Sequence, residues 1–268
     1  MATISLPSVA SLWVGSSLGW IENLCLASFV AQGHPTILYS YGKVDNVPEG
    51  VSLRDAKEIW DAPEVLFSET SPSYIADIFR LYLMCKSDQI WVDTDVICIS
   101  PLTPCKNGYL FGHTAGHAEI NNAILRLPKE SGVLASLIEF IENTDQIPQW
   151  LRPALRQRVE RAPPEDRTVA RFLASRTVLG PNALTYFMRR SDEIKYAAEP
   201  DVLYPVPWQF LDVMFNPYGG HKGWVTERTK AVHLWSYMLK WHKKSTPHPD
   251  SLVGGFARRL GIDLSELK

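Results

Sequence analysis

The sequence lacks a decisive net charge, since 27 basic side chains face 29 acidic ones and leave a balance of −2. Nucleic-acid binders need a strongly basic surface to meet phosphate backbones, so no nucleic-acid partner is expected. Paired cysteines are missing too. Cys25, Cys85, Cys98 and Cys105 include no C-x-x-C spacing, which sets aside the usual zinc and dithiol patterns. Three of these thiols sit in strongly apolar stretches and read as buried free cysteines of a reducing compartment. No N-x-[ST] acceptor occurs, and neither does an internal repeat or a low-complexity tract. The first charged residue is Glu22, but the stretch before it lacks a basic start, is rich in serine and is broken by Pro7, Gly15 and Gly19. It makes a poor signal peptide and is too polar to span a membrane. The expected location is cytoplasmic.

What is present is ordinary globular material. With 268 residues, 46% of them hydrophobic and 21% charged, the chain can bury a sizeable core. Nine tryptophans and ten tyrosines are a rich supply of rings. Such rings stack on sugar and base faces, and they also fill cores.

The pattern alternates strands and helices. Residues 9–15 read as a strand and 18–32 as a helix ended by Gly33-His34-Pro35. Thr36 to Tyr41 and Val51 to Asp55 read as further strands. A helix from Tyr74 to Lys86 has Ser71 or Ser73 as cap, Pro72 in its first turn, and a buried face of Ile75, Ile78, Phe79, Tyr82 and Leu83. Gln89 to Ser100 reads as one buried strand. Tyr109–Gly112 and Ala123–Leu127 follow as strands, and Val133 to Glu142 as a helix. The order implies an α/β fold with a mostly parallel central sheet flanked by helices. Between about 145 and 176, prolines mix with arginines, which suggests a helical insertion or lid within a single domain spanning 1–268. The tail from about 240 is polar and basic until a short amphipathic helix, Leu252 to Leu260.

Asp93-Thr94-Asp95 interrupts the most apolar of these segments. In an extended chain the two carboxylates leave the same face. Two such groups in apolar surroundings are poorly solvated and repel, so one takes a proton or a cation sits between them. Mg²⁺ or Mn²⁺ suits oxygen ligands of this kind and completes its shell with substrate phosphates. A strand end at which both aspartates meet water is the plainer alternative. The triplet serves two chemistries: sugar transfer from a nucleotide, and phosphate-ester hydrolysis with the first aspartate as nucleophile.

The surroundings separate them. Asp77-Ile78-Phe79-Arg80-Leu81-Tyr82, then Trp91-Val92-Asp93-Thr94-Asp95-Val96, then Pro101-Leu102 closely resembles the core block of the DXD-motif sugar transferases of the capsular-polysaccharide and α-1,4-galactosyltransferase kind, glycosyltransferase family 32. Trp13-Val14-Gly15 looks like that family's N-terminal W-x-G. Gly180-Pro181-Asn182-Ala183-Leu184-Thr185 is similar to its G-P-x-x-L-T turn, and His233-Leu234-Trp235 to its H-x-W. The matches run in the family's order from about residue 12 to 240. One departure is Ser87-Asp88-Gln89, where the family has Gly-Gly. The haloacid-dehalogenase-like phosphatases are matched less well. Their D-x-D lies near the N-terminus, and Ile97 stands where they have Thr or Val.

The resemblance implies a GT-A fold and a retaining hexosyltransferase using a UDP-sugar donor with Mn²⁺ or Mg²⁺. By the same resemblance Asp93 and Asp95 are catalytic and bind the metal with His233. Trp13, Val14, Gly15, Asp77, Arg80, Asp93, Thr94, Asn121, Asn122, Trp235 and Lys240 contact the donor. Each has a plainer reading: Asp77 and Arg80 as a surface i,i+3 pair, Asn121 and Asn122 as turn residues, His233 as a satisfied core histidine, and Lys240 as part of a solvated basic run. The acceptor is a glycan or a lipid-linked saccharide, which allows peripheral contact at the inner face of a membrane. The arginines of 145–176 read equally as an anionic-acceptor surface and as a solvated helical face. A non-catalytic carbohydrate-binding protein with the same fold is a further alternative.

Overall fold

The computed structural model describes residues 5–239, 242 and 245–264. In chain order its strands and helices are β1 (Val9–Trp13), α1 (Trp20–Ala31), β2 (Thr36–Ser40), β3 (Val51–Asp55), α2 (Glu64–Glu69), α3 (Pro72–Lys86), β4 (Ile90–Val92) and β5 (Val96–Cys98). There follow β6 (Leu110–His113), β7 (Ile120–Arg126), α4 (Gly132–Glu142), α5 (Pro153–Arg161), α6 (Arg167–Ala174), α7 (Pro181–Met188), α8 (Pro200–Leu203), β8 (Ala231–His233) and α9 (Leu252–Leu260).

The central sheet has the order β3-β2-β1-β4-β7-β6. Its first four strands are parallel, with Val9 opposite both Thr36 and Ile90, while β7 runs antiparallel to its neighbours β4 and β6. The mostly parallel α/β architecture expected from the alternation is therefore present. Neighbouring residues of β1 and β4 feed different cores. Val9, Ile90 and Val92 pack with Phe29 of α1, whereas Ala10, Leu12 and Trp91 pack with Ile75, Ile78 and Phe79 of α3. A strand covered on both faces has no polar side to show, and this produces the near-continuous apolar runs. Edge strand β3 is largely exposed and carries Ser52, Arg54 and Asp55, charges and hydroxyls that blunt an open edge.

From β1 the chain first builds outward to β2 and β3, then returns through α3 to place β4 on the other side of β1. Such a reversal leaves a crevice at the carboxyl ends of the two flanking strands. Helix α3 makes this return possible: Ser71 accepts from the Tyr74 N–H as cap, Pro72 sits in the first turn, and Ile75, Ile78, Phe79 and Leu83 are buried.

Gln89 to Ser100 is not one strand. It breaks at Asp93-Thr94-Asp95, where the Val96 N–H donates to the Asp93 carbonyl at 3.2 Å and closes a turn. Beyond the turn β5 leaves the main sheet to pair with β8, Val96 facing His233. Ser28 in α1 fixes β5 from the side, its Oγ accepting from the Cys98 N–H at 2.8 Å. An apolar run alone does not say which sheet a strand joins, so the break is invisible in the composition of the segment. Asn121 and Asn122 also differ from the turn reading: both lie buried within β7. Of the cysteines only Cys25 and Cys98 are buried, and Cys85 and Cys105 are exposed. Cys85 belongs to the outward face of α3 near its C-terminus.

Residues 145–176 form α5 and α6, and they reach into the core. Val159 and Leu151 join the large apolar cluster, and Arg171 is 1% exposed. Its guanidinium donates to the carbonyls of Phe140, Asn143 and Gln146, closing the C-terminus of α4. Among the described residues no helix is long and apolar enough to cross a membrane.

Candidate functional site

The crevice is a cavity of about 610 Å³. Trp13 and Val14 at the end of β1, Arg80 of α3, Asp93, Thr94 and Asp95 after β4, and His233 with Trp235 after β8 all line it. Residues scattered over more than two hundred positions meet here because β1, β4 and β8 all end on the same side.

Turn geometry, not an extended strand, brings the two carboxylates together. The nearest donor atoms of Asp93, Asp95 and His233 lie within 4.8 Å of one another. Each aspartate is held differently. Asp93 Oδ1 accepts from the Trp91 indole N–H at 2.7 Å and stands 3.2 Å from Arg80. Asp95 Oδ2 accepts from the Ser236 N–H at 2.7 Å, and its Oδ1 stands 3.2 Å from His233 Nε2.

These partners push the carboxyl groups apart in acidity. Burial raises Asp93; Arg80 opposes that, and the neighbouring Asp95 charge adds to it, leaving a net rise. Burial alone would raise Asp95 too, but the His233 charge and the hydrogen bonds from His233 and Ser236 hold it well below the usual carboxylate range. His233 is the counterpart: burial would lower it, yet Asp95 and then Asp93 raise it. A positive charge is therefore wanted between the two aspartates, and a protonated imidazole supplies it when nothing else does.

The donor set fits a divalent cation. Two carboxylates suit Mg²⁺ or Mn²⁺, and an imidazole beside them favours the transition ion. His233 Nδ1 is buried with no hydrogen-bond partner. Packing instead orients the ring, with Trp235 at 4.2 Å between centroids and Tyr204 edge-on at 6.1 Å. Trp235 adopts a left-handed backbone (φ 54°), unusual for a bulky residue. That conformation turns the chain so that the indole covers His233 while the next N–H reaches Asp95.

Behind this triad lies a second, fully buried layer. Arg80 is 4% exposed and divides its donors among the Asn122 carbonyl at 2.6 Å, Asp93 at 3.2 Å and Asp77 at 3.1 Å, with its guanidinium over the Trp91 ring at 4.7 Å. The surface i,i+3 reading of Asp77 and Arg80 does not describe this pair, because both are buried. Asp77 also accepts from the Asn122 side chain at 2.8 Å. Burial pushes its carboxyl up to about 6 against the pull of Arg80 and Asn122. Asn121 turns its side chain back to the Ala123 N–H at 2.8 Å.

The shared motifs acquire physical reasons. A Cβ at Gly180 would meet Asp77 Oδ2 at 2.8 Å, so only glycine lets α7 begin against that carboxylate. Thr185, five residues on, accepts from the Ile120 N–H at 2.9 Å and fastens α7 to β7. A Cβ at Gly15 would stand 3.0 Å from Trp13 Nε1, which is itself bound to the Ser17 carbonyl at 3.0 Å.

Gly15, Asp77, Asn121 and Asn122 are not among the residues lining the cavity. Asp77 and Asn122 support Arg80 from behind instead. Lys240 lies outside the described residues. Sequence reasoning did not find Trp91, Ser236, Trp208 or Tyr237. Trp91 was within reach, because alternation puts it on the side of Asp93, two positions on. Ser236 acts through its backbone, which no side-chain pattern reports.

No protein-family model matches the sequence, and no curated protein matches it. Among solved structures, the chain is similar over 69% of its length to the PaToxG glycosyltransferase, at 14% identity and a TM-score of 0.46, covering 69% of that chain. It is also similar over 97% of its length to the apo form of the glycosyltransferase GlyE of Streptococcus pneumoniae TIGR4, at 12% identity and a TM-score of 0.42, and to the apo form of the bifunctional glycosyltransferase WbbM, at 11% and 0.39. It spans 62% and 50% of those two chains.

Proposed function

We propose that this chain is a GT-A type, metal-dependent, retaining glycosyltransferase that moves a sugar from a UDP-sugar to a glycan or lipid-linked acceptor. The observation that carries this reading is the convergence of Asp93, Asp95 and His233 on one cavity at the strand-order reversal, with Trp13 beside them. A carboxylate–imidazole donor set at the place where α/β sheets take nucleotides calls for a ligand bearing phosphate and a ring.

Asp93, Asp95 and His233 would hold Mn²⁺ or Mg²⁺, which when bound supplies the positive charge that stabilises a departing diphosphate. The chain's own groups set the conditions. Arg80 and the Trp91 N–H fix Asp93; Ser236 fixes Asp95 in its ionised form. Leu12, Ala76 and Trp91 make an apolar wall that keeps water away and so strengthens each charge interaction. Trp13 offers its indole face to the base. No lining side chain stands out as a nucleophile, which suits attack by the acceptor on the face the diphosphate leaves. The same reading places the protein in the cytoplasm, meeting a lipid-linked acceptor at the inner face of the membrane.

The test is a melting-temperature screen with Mn²⁺ and a panel of nucleotide sugars. Ligand at a hundredfold excess over its Kd should stabilise the fold by about 2.7 kcal/mol. The shift should vanish with EDTA and in Asp95→Ala. A panel in which neither metal nor any nucleotide sugar moves the melting temperature would retire the reading.

A further inference from the structure

The cavity also carries lining side chains that the metal centre does not use. Four tryptophans line it, Trp13, Trp91, Trp208 and Trp235. The indole N–H of Trp13 is bound to Ser17, that of Trp91 to Asp93, and that of Trp235 to Val206. Among the described residues Trp208 alone of the four has no hydrogen-bond partner, and it is 48% exposed. Tyr237, also in the lining, is 70% exposed with its hydroxyl equally unpaired.

These two belong to a pattern. Of the eight exposed large apolar side chains among the described residues, three (Trp208, Tyr237 and Met238) line this one cavity. Apolar exposure concentrated beside a cavity marks a binding surface. The charges of the described lining are Arg80, Asp93, Asp95 and His233, all within or joined to the metal triad, and the mouth is where the exposed rings stand. It therefore offers flat apolar faces together with free N–H and O–H groups at their edges. A lipid tail would leave those groups unpaired. A pyranoside matches both features, having one C–H face and a rim of hydroxyls.

We propose that Trp208 and Tyr237 form the acceptor subsite and that it takes a pyranoside, stacked by its C–H face on the rings with its hydroxyls on the indole N–H and the phenol. As an acceptor site it rests on the transferase reading; as a sugar site it stands without it.

Saturation-transfer NMR on the full chain with UDP and diamagnetic Mg²⁺ tests this, using methyl glucoside, galactoside, mannoside and N-acetylglucosaminide as probes, with octyl glucoside beside them. At least one probe should receive saturation on its ring protons. Trp208→Ala should weaken that binding about tenfold, the scale of one lost aromatic platform. Trp208→Phe, which keeps a ring but not the N–H, should fall between. Trp208 is half exposed, and the unliganded melting temperature of each variant reports that it folds. The proposal is overturned if no ring protons of any probe are saturated, if binding survives Trp208→Ala unchanged, or if only the octyl chain responds. A UDP shift in the wild type without sugar binding sinks the subsite alone. Sugar binding without a UDP shift sinks the transferase reading alone.

Discussion

The carboxylate of Asp77 rests on the backbone of Gly180, where a Cβ would lie 2.8 Å from Oδ2 and 3.0 Å from Oδ1. Asp77 cannot swing aside, because Asn122 and Arg80 hold its Oδ1. Gly180→Ala is therefore expected to displace the aspartate and, through Arg80, Asp93. Overpacking of this kind costs about 1–3 kcal/mol. Denaturant melts should show that loss, and Mn²⁺ titration should show weakened binding. An unaltered melt together with unaltered titration would mean that Gly180 serves only the turn.

Arg171 gives a stability prediction independent of the site. Of its three carbonyl partners at the end of α4, Asn143 keeps the Gln146 N–H as a donor once the guanidinium is gone, while those of Phe140 and Gln146 are left unpaired. Unpaired buried acceptors cost about 1–3 kcal/mol each, partly recovered by relaxation. Arg171→Met should lower stability by about 3 kcal/mol, seen as a fall in melting temperature of roughly 10 °C for a chain of this size. Mn²⁺ and nucleotide binding at a permissive temperature should be retained. A variant with wild-type stability would show that the arginine's burial and its bonds merely cancel.

How far residue order alone reaches is clear from particular elements. Val51–Asp55 has the limits its residues suggest, and α3 starts behind Ser71, one of the two serines that could cap it, because those signals are local. The break after Val92 is not local, since it depends on β8, which lies some 140 positions further on and draws β5 out of the main sheet. The site divides the same way. Asp93, Asp95 and His233 announce themselves by residue type in apolar surroundings. The roles of Gly180, Ser236 and Trp235 arise from backbone approach and backbone strain, and neither leaves a periodic trace. Asn121 and Asn122 depart from the turn alternative for a related reason: inside β7, Arg80 and Asp77 engage Asn122, and Asn121 accepts from the Ala123 N–H.

Trp235 tests whether strain serves the metal centre. Its ring orients His233, whose Nδ1 has no hydrogen bond to do so. Removing a group that orients a ligand typically costs about 10–100-fold in metal affinity. Trp235→Gly removes the ring while easing the left-handed backbone, so it should weaken Mn²⁺ binding, the relieved strain offsetting part of the lost packing and of the lost bond to Val206. If affinity stayed within about twofold of the wild type, His233 would be held by the β5–β8 pairing alone.

The last prediction concerns acid. His34 is buried between β1 and the segment after β5, its Nδ1 against the Pro7 carbonyl at 2.8 Å and its Nε2 accepting from the Leu102 N–H at 3.0 Å. Those partners require a neutral ring with the proton on Nδ1. Burial lowers its pKa from the ordinary 6.5, outweighing the rise from the Pro7 bond. Between the lowered folded value and 6.5 the unfolded chain binds the proton and the folded chain does not, so stability rises with pH there. This contribution is intact above 6.5 and is lost progressively as pH falls below it. Urea melts at pH 7.5 and 5.5 should thus differ, the acid sample being weaker. His34→Gln keeps a donor and an acceptor on one side chain without titrating. It should flatten this part of the profile, and an undiminished acid loss in that variant would assign the effect to other groups.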